Sequence, residues 1–298
     1  MLNINPTREA IEFHKEKVNN TFEDIIKKGY ILRKRIQKKL SPQFIIFIAK
    51  YKDELIDAKP ERLLEINKEF EKKRFSSHQL KLIKSFFIQT GYNRFPNKEF
   101  LNLLGIDTCV YCNRNYTLDF DELNNARAEL DHWFPKETFP ILALSFYNLI
   151  PSCHSCNHIK HNNVPEGGWE NALQNINHPY LEDRLATYSF SYSLISIGKL
   201  KAVIKSNSEK AKKTIEFTKV DKIYESQSDR ELKDLYDLRY KYSDNYLEIL
   251  ISKTFGKLMS KEEAYRMIFG IETKEEDYHK RPFSKFKRDI IDELLKVY

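Results

Sequence analysis

No stretch of this chain is apolar enough to cross a membrane. The longest candidate, Phe44 to Ala49 (FIIFIA), is six residues against the roughly 20 that a span needs. The opening MLNINPTREAIEFHKEK carries charges where a secretion signal needs an apolar run, so a cytoplasmic location with no membrane partner is expected. There is no internal repeat and no low-complexity tract, which sets aside solenoids and disordered arrays. A Gly-x-x-x-x-Gly-Lys-Ser/Thr loop is missing, so the chain has no phosphate-binding loop of that kind for a nucleotide. Cysteine is scarce: four in 298 residues.

What is present is charge around an adequate core. Hydrophobic residues make up 41% and charged residues 31%, the balance of a globular protein, and the length suggests about two folding units. The charge is uneven. Residues 1–100 hold 22 Lys and Arg against 13 Asp and Glu, residues 101–200 hold 6 against 11, and residues 201–298 hold 22 against 19. The nets of +9, −5 and +3 suggest a polyanion gripped by the first third and a cation held in the middle, unless they are only solvated helix faces.

The periodicity predicts an α+β fold, mostly helical. Residues 1–100 read as a basic helical arm. Ser41-Pro42 starts one helix, Pro60 another, and Leu80, Ile83 and Phe87 mark a third that ends near Gly91. Phe86, Phe87, Phe95 and Phe100 are assigned to the core rather than to base stacking. Residues 101–170 form a central module with short β-like runs at 116–120 and 128–134. Residues 171–298 begin with a β-hairpin, Tyr188, Phe190 and Tyr192 alternating against Leu200, Ala202 and Ile204, with Gly198 between. Helices follow: Leu232, Leu235, Tyr242, Tyr246 and Ile249 keep helical steps, Ser260 to Glu263 is a capping box, and Gly270 is a stop.

The cysteines fall as two Cys-x-x-Cys pairs, Cys109 with Cys112 and Cys153 with Cys156. In a reducing compartment that pattern reads as metal before disulfide, and four thiolates close a tetrahedral structural Zn²⁺ site. Buried free thiols or a redox pair are the alternative. Between the pairs lies Glu129-Leu-Asp-His-Trp-Phe-Pro-Lys136, a carboxylate beside an imidazole, followed by Asn148. Asn157 and His161 come after the second pair, four residues apart, so a helix would put both on one face.

Asp131-His132, Asn148 and Asn157 set around two Cys-x-x-Cys pairs resemble the HNH endonuclease family, the ββα-metal nucleases, over about Cys109 to Asn162. DHWFPK followed by ALSFYNLIPSCHSCN resembles, more narrowly, bacterial HNH proteins of antiphage systems such as Septu-type or retron-linked pairs. The resemblance implies a role for each residue. Asp131 is a ligand of the catalytic ion and His132 is the general base. Asn148 braces the loop that orients the histidine. Asn157 is the ligand on the helix, where many members have histidine, and His161 is an additional ligand. The oxygen donors suit Mg²⁺ or Mn²⁺.

Lys136 and Lys160 are candidate phosphate contacts, and Glu129 shares a strand face with Asp131. His154, His158 and His178 match nothing in the motif and are assigned to the surface or to the surroundings of the site. The expected function is metal-dependent cleavage of nucleic acid, double-stranded DNA ahead of RNA or single strands, in bacterial antiphage defence. The basic arm would grip phosphates, and a separate ATPase would be the partner. A zinc-stapled binding module with a dead nuclease site is the rival of a different class.

Overall fold

A computed structural model of the chain describes residues 1–117, 129–161, 163–196, 199–241, 249, 253 and 258–296. Among these the fold is α+β and mostly helical, with three two-stranded sheets. The chain divides into two compact units: residues 6–105 with 119–151, the helical unit, and residues 1–5, 106–118 and 152–298, the cysteine unit.

In the helical unit, α1 (Arg8–Lys28) starts on Thr7, whose side chain accepts from Ala10 N–H, and stops at Gly29, which takes the left-handed backbone at φ 67°. Next come β1 (Tyr30–Arg33) and β2 (Ile36–Lys39), paired antiparallel across the two-residue turn Lys34-Arg35. The helices α2 (Pro42–Asp57) and α3 (Pro60–Glu71) each open on a first-turn proline, and Ser41 caps α2 as its sequence predicts. The chain continues through α4 (Ser77–Ser85), a π-helical turn (Phe86–Gly91) and α5 (Asn97–Leu104). Phe22, Phe44, Phe86 and Phe87 meet edge to face at 5.0–6.3 Å and form the core, with Phe95 and Phe100 buried beside them. Leu80, placed on the apolar stripe by its spacing, is exposed. The β1–β2 hairpin corrects the all-helical reading of residues 1–100. Lysine and arginine at its turn gave none of the Asn-Gly signal that marks such loops.

The later part of this unit carries β3 (Glu129–His132), a compact turn at 140–148, and β4 (Leu149–Ser152), which pairs with β3. β4 leads directly into the cysteine unit and α6 (His154–His161). A short α7 (Ala172–Asn175) precedes the hairpin of β5 (Tyr188–Ser196) and β6 (Lys199–Ser206), in the register that the alternating aromatics predict: Phe190 opposite Ile204, Tyr192 opposite Ala202. Its inner face packs on α9 (Val220–Gln227), α10 (Asp229–Lys241) and the C-terminal α12 (Ser284–Lys296), with Phe190, Tyr224 and Phe286 at the centre. Between them run α8 (Glu209–Thr218) and α11 (Lys261–Phe269). The Ser260–Glu263 capping box at the start of α11 is formed, and Gly270 ends it in the left-handed region. Leu232 and Leu235 are buried on α10, Ile249 is exposed, and Tyr242, Tyr246, Gly198 and the expected β-run beyond Thr117 lie outside the described residues.

Candidate functional site

Two constellations emerge, one in each unit. In the cysteine unit, Cys109 and Cys112 sit on a tight loop closed by an isolated bridge between Thr108 and Tyr116, while Cys153 immediately precedes α6 and Cys156 lies in its first turn. The loop is closed by Asn113 N–H donating to Cys109 O at 2.7 Å and by Cys109 N–H donating to Asn115 O at 2.9 Å. Asn113 takes a positive φ of 52°, which lets the chain turn back just after the second thiol.

Asn113 is also buried. Its amide donates to Thr108 Oγ1 and to the carbonyl oxygens of Tyr278 and Arg281, and its own oxygen accepts from Lys285 N–H, so the loop is pinned to the C-terminal segment. Tyr224, from the core of this unit, donates its hydroxyl to Cys112 O at 2.7 Å.

All four thiols are buried and their sulfur atoms lie within 4.8 Å of one another, with Cys112 Sγ and Cys153 Sγ 4.0 Å apart. Zinc–sulfur bonds of ~2.3 Å in a tetrahedron place sulfurs about 3.8 Å apart. The spacing and donor set therefore fit Zn²⁺ with no position left open. Burial pushes the Cys109 thiol up, and its hydrogen bonds with the Cys112 and Cys153 thiols push in the same direction.

In the helical unit, the decisive feature is three successive carbonyls. Leu142, Ala143 and Leu144 are buried in a turn that is not a regular helix, and of their C=O groups Leu142 O accepts a backbone N–H, from Ser145 at 3.1 Å. Each of the three receives a side-chain donor. Asn148 Nδ2 donates to Leu142 O at 2.8 Å, His132 Nε2 to Ala143 O at 3.1 Å, and His14 Nε2 to Leu144 O at 2.9 Å.

Asn148 ties the turn to the end of β3 as well. Its Oδ1 accepts from Phe134 N–H at 2.7 Å, its Nδ2 also reaches Phe134 O, and its own carbonyl accepts from Trp133 N–H. The amide has both donors and its acceptor engaged, so its part here is to position, not to ligate.

Because a carbonyl only accepts, His132 must carry its ring proton on Nε2, which leaves the lone pair on Nδ1. Asp131 precedes it on β3 and is likewise buried. Tyr92 was not singled out from the sequence, yet its ring meets the His132 ring at 4.3 Å and its hydroxyl donates to Leu130 O at 3.0 Å. The ammonium of Lys136 lies 4.5 Å over the opposite partner in that stack, the Tyr92 ring, and burial lowers its proton affinity.

His14 also escaped the sequence reading. It sits on α1, 130 positions from the carbonyl it serves, walled by Phe95, Phe100 and Phe146 at 5.2–5.6 Å. Burial holds it neutral, with a pKa lowered to about 3. A histidine on an apolar helix stripe is the one available signal.

Asn157 and His161 lie on α6 in the cysteine unit. Asn157 is partly exposed, its backbone N–H donates to Cys153 O at 3.0 Å, and His161 is the last residue of the helix. Lys160 corrects an expectation. It is buried with its ammonium 5.2 Å over the Trp169 ring, so it is not a surface phosphate contact. His178 is buried too, whereas His154 and His158 are exposed with stacked rings 6.2 Å apart. No described helix is long and apolar enough to cross a membrane.

A curated protein of Bacillus thuringiensis, Septu protein PtuB, is 35% identical to this chain over 75 residues, 24% of this chain and 27% of that protein. The chain thus spans about a quarter of the length of the curated relative it matches. No family model matches, and no solved structure matches.

Two measurements test these constellations. The purified protein is expected to hold about one zinc per chain, and Cys112→Ser to lower both metal content and melting temperature, because zinc binding is coupled to folding. A well-folded wild type without zinc contradicts the four-thiolate centre.

The second concerns His14. Its folded pKa of about 3 lies below the ordinary 6.5, so as pH falls the unfolded chain binds this proton first. Its contribution is intact above about pH 6.5 and declines by up to about 1.4 kcal/mol per unit toward pH 3. His14→Gln keeps a donor for Leu144 but does not titrate. Denaturant unfolding between pH 7.5 and 4 should therefore show a shallower loss than wild type, and equal slopes would mean that His14 is not held neutral.

Proposed function

We propose that this chain is a metal-dependent HNH endonuclease that hydrolyses phosphodiester bonds, with double-stranded DNA as substrate, and that it serves antiphage defence. The observation that carries the reading is the environment of His132. Its tautomer is fixed by the Ala143 carbonyl at 3.1 Å, the turn bearing that carbonyl is braced by Asn148, and Asp131 stands beside it. That arrangement supplies what a general base needs: an imidazole held in one orientation with a defined basic nitrogen, Nδ1. The similarity to a Septu protein supports the defence role over the matched stretch.

In the proposed reaction His132 Nδ1 takes the proton of the attacking water. The imidazole becomes positively charged, and its Nε2–H bond to Ala143 O strengthens, because a charged donor binds a carbonyl more tightly than a neutral one. Asn148 and His14 hold Leu142 and Leu144 on either side of that carbonyl, so it does not swing away as charge develops. Asp131 offers carboxylate oxygens to a divalent ion, and the HNH resemblance assigns Asn157 and His161 as further ligands. The oxygen donors fit Mg²⁺ or Mn²⁺, which would neutralise charge building on the phosphoryl and leaving oxygens. The four-cysteine centre has no open position and takes no part in the chemistry. Without a phosphate-binding loop of its own, the chain is proposed to act with an ATPase partner.

The test is cleavage of plasmid DNA with Mg²⁺ or Mn²⁺, with and without chelator. His132→Ala should lower the rate by about 10²–10⁴-fold. His132→Gln, which keeps an N–H for Ala143, should lose cleavage equally while melting closer to wild type, since it leaves no buried carbonyl unsatisfied. Both should retain duplex binding and zinc. Wild-type cleavage by His132→Gln would remove the base assignment, and a wild type that binds duplex but never cuts would favour a binding module.

A further inference from the structure

We infer that the β1–β2 hairpin is the nucleic-acid grip of the helical unit, its tip carrying cations to phosphates of a duplex. This rests on the nucleic-acid substrate proposed above and localises the contact. The excess charge of residues 1–100 is not spread over the helices. Residues 30–39 contain Arg33, Lys34, Arg35, Lys38 and Lys39 with no carboxylate, so ten residues supply five of the net nine charges. On the helices many cations are offset locally, as in Arg8 with Glu12, Lys28 with Asp24 and Arg62 with Glu54. The five hairpin cations form no ion pair among the described residues.

The hairpin projects from a fixed base. Ile31 is buried, Leu40 N–H donates to Gly29 O at 2.9 Å, and Gln79 bridges Lys39 O and Ser41 N–H, whereas Leu32 through Gln37 are all exposed.

Its turn is strained in a particular way. Lys34 and Arg35 have φ of 48° and 65°, the left-handed pattern of a two-residue type I′ loop, where Asn-Gly is the preferred pair. Long β-carbon-bearing side chains there cost of order 1 kcal/mol each. That cost brings no packing, because both residues are exposed, so it is consistent with cations being wanted at the tip.

Other polyanions fit less well. A lipid surface would call for one apolar face, but the exposed Leu32 and Ile36 lie on opposite faces of the ribbon, since Leu32 pairs with Gln37 and Arg33 with Ile36. A second copy of the chain would set five positive charges against five. A two-stranded ribbon does match the width of a duplex major groove, and basic side chains on it can reach phosphates on either side.

The test uses the variant Lys34→Asn/Arg35→Gly in the full chain. It removes two cations while installing the pair that the turn prefers, so melting temperature should be unchanged or higher. Binding to a 30-base-pair DNA duplex is followed by fluorescence anisotropy over a KCl series without added Mg²⁺ or Mn²⁺. Affinity is expected to fall about tenfold or more, and the slope of log affinity against log salt to become shallower by about 1.8, the loss of two phosphate contacts. A stable variant with wild-type affinity and slope overturns the proposal, as does a wild type that binds no duplex. If the variant loses binding only to phosphatidylserine vesicles, the hairpin reads lipid and the proposal also fails. Because no cleavage is measured, the result stands apart from the nuclease reading: a wild type that never cuts can still lose duplex binding through this hairpin.

Discussion

Three buried carbonyls in a row impose the constraint on which the helical unit's candidate site depends. A buried peptide oxygen without a donor costs about 1–3 kcal/mol, and in this irregular turn Ser145 N–H reaches Leu142 O while Ala143 O and Leu144 O depend on side chains. Three side chains from three parts of the chain answer them: Asn148 from the turn itself, His132 from β3 and His14 from α1. The consequence reaches beyond stability. A carbonyl that accepts from His132 decides which ring nitrogen is basic, and the neighbours on either side stop that carbonyl from rotating. Folding and chemistry are served by the same bonds.

The cysteine unit is organised around a different constraint. Four thiols within 4.8 Å cannot all ionise in a buried setting without a cation, so a divalent ion turns an electrostatic liability into a crosslink between the Cys109–Cys112 loop and the start of α6. Asn113 and Tyr224 extend that crosslink into the hairpin and C-terminal helices of the same unit. The two sets of restraints differ in kind. One is hydrogen bonding that selects a tautomer, and the other is coordination that holds a loop.

Much of the fold was legible because local rules carried it. Ser41-Pro42, Pro60, the Ser260–Glu263 box and Gly270 act within one turn of helix, and the alternation of Tyr188, Phe190 and Tyr192 sets its own register. The cysteine spacing likewise announced its cluster. What escaped was non-local or contrary to preference. His14 reaches a carbonyl 130 residues away, and Tyr92 meets His132 across 40 positions, contacts that no short-range pattern encodes. Lys160 is buried over Trp169 although lysine is a surface residue by default. The β1–β2 hairpin hides behind Lys34-Arg35, residues that argue against the turn they occupy. Apart from Lys160, these departures from local preference fall where function is proposed.

The protonation of His132 is the most direct test of how the carbonyl turn serves the site. Nitrogen-15 NMR of histidine-labelled protein at pH 7.5, with His132→Gln to assign the resonance, reads the tautomer of each ring. A neutral imidazole with its proton on Nε2 and an unprotonated Nδ1 is the expected state. A proton on Nδ1, or a single averaged signal from a freely exchanging ring, would contradict it, because then the Ala143 carbonyl would not be holding the base.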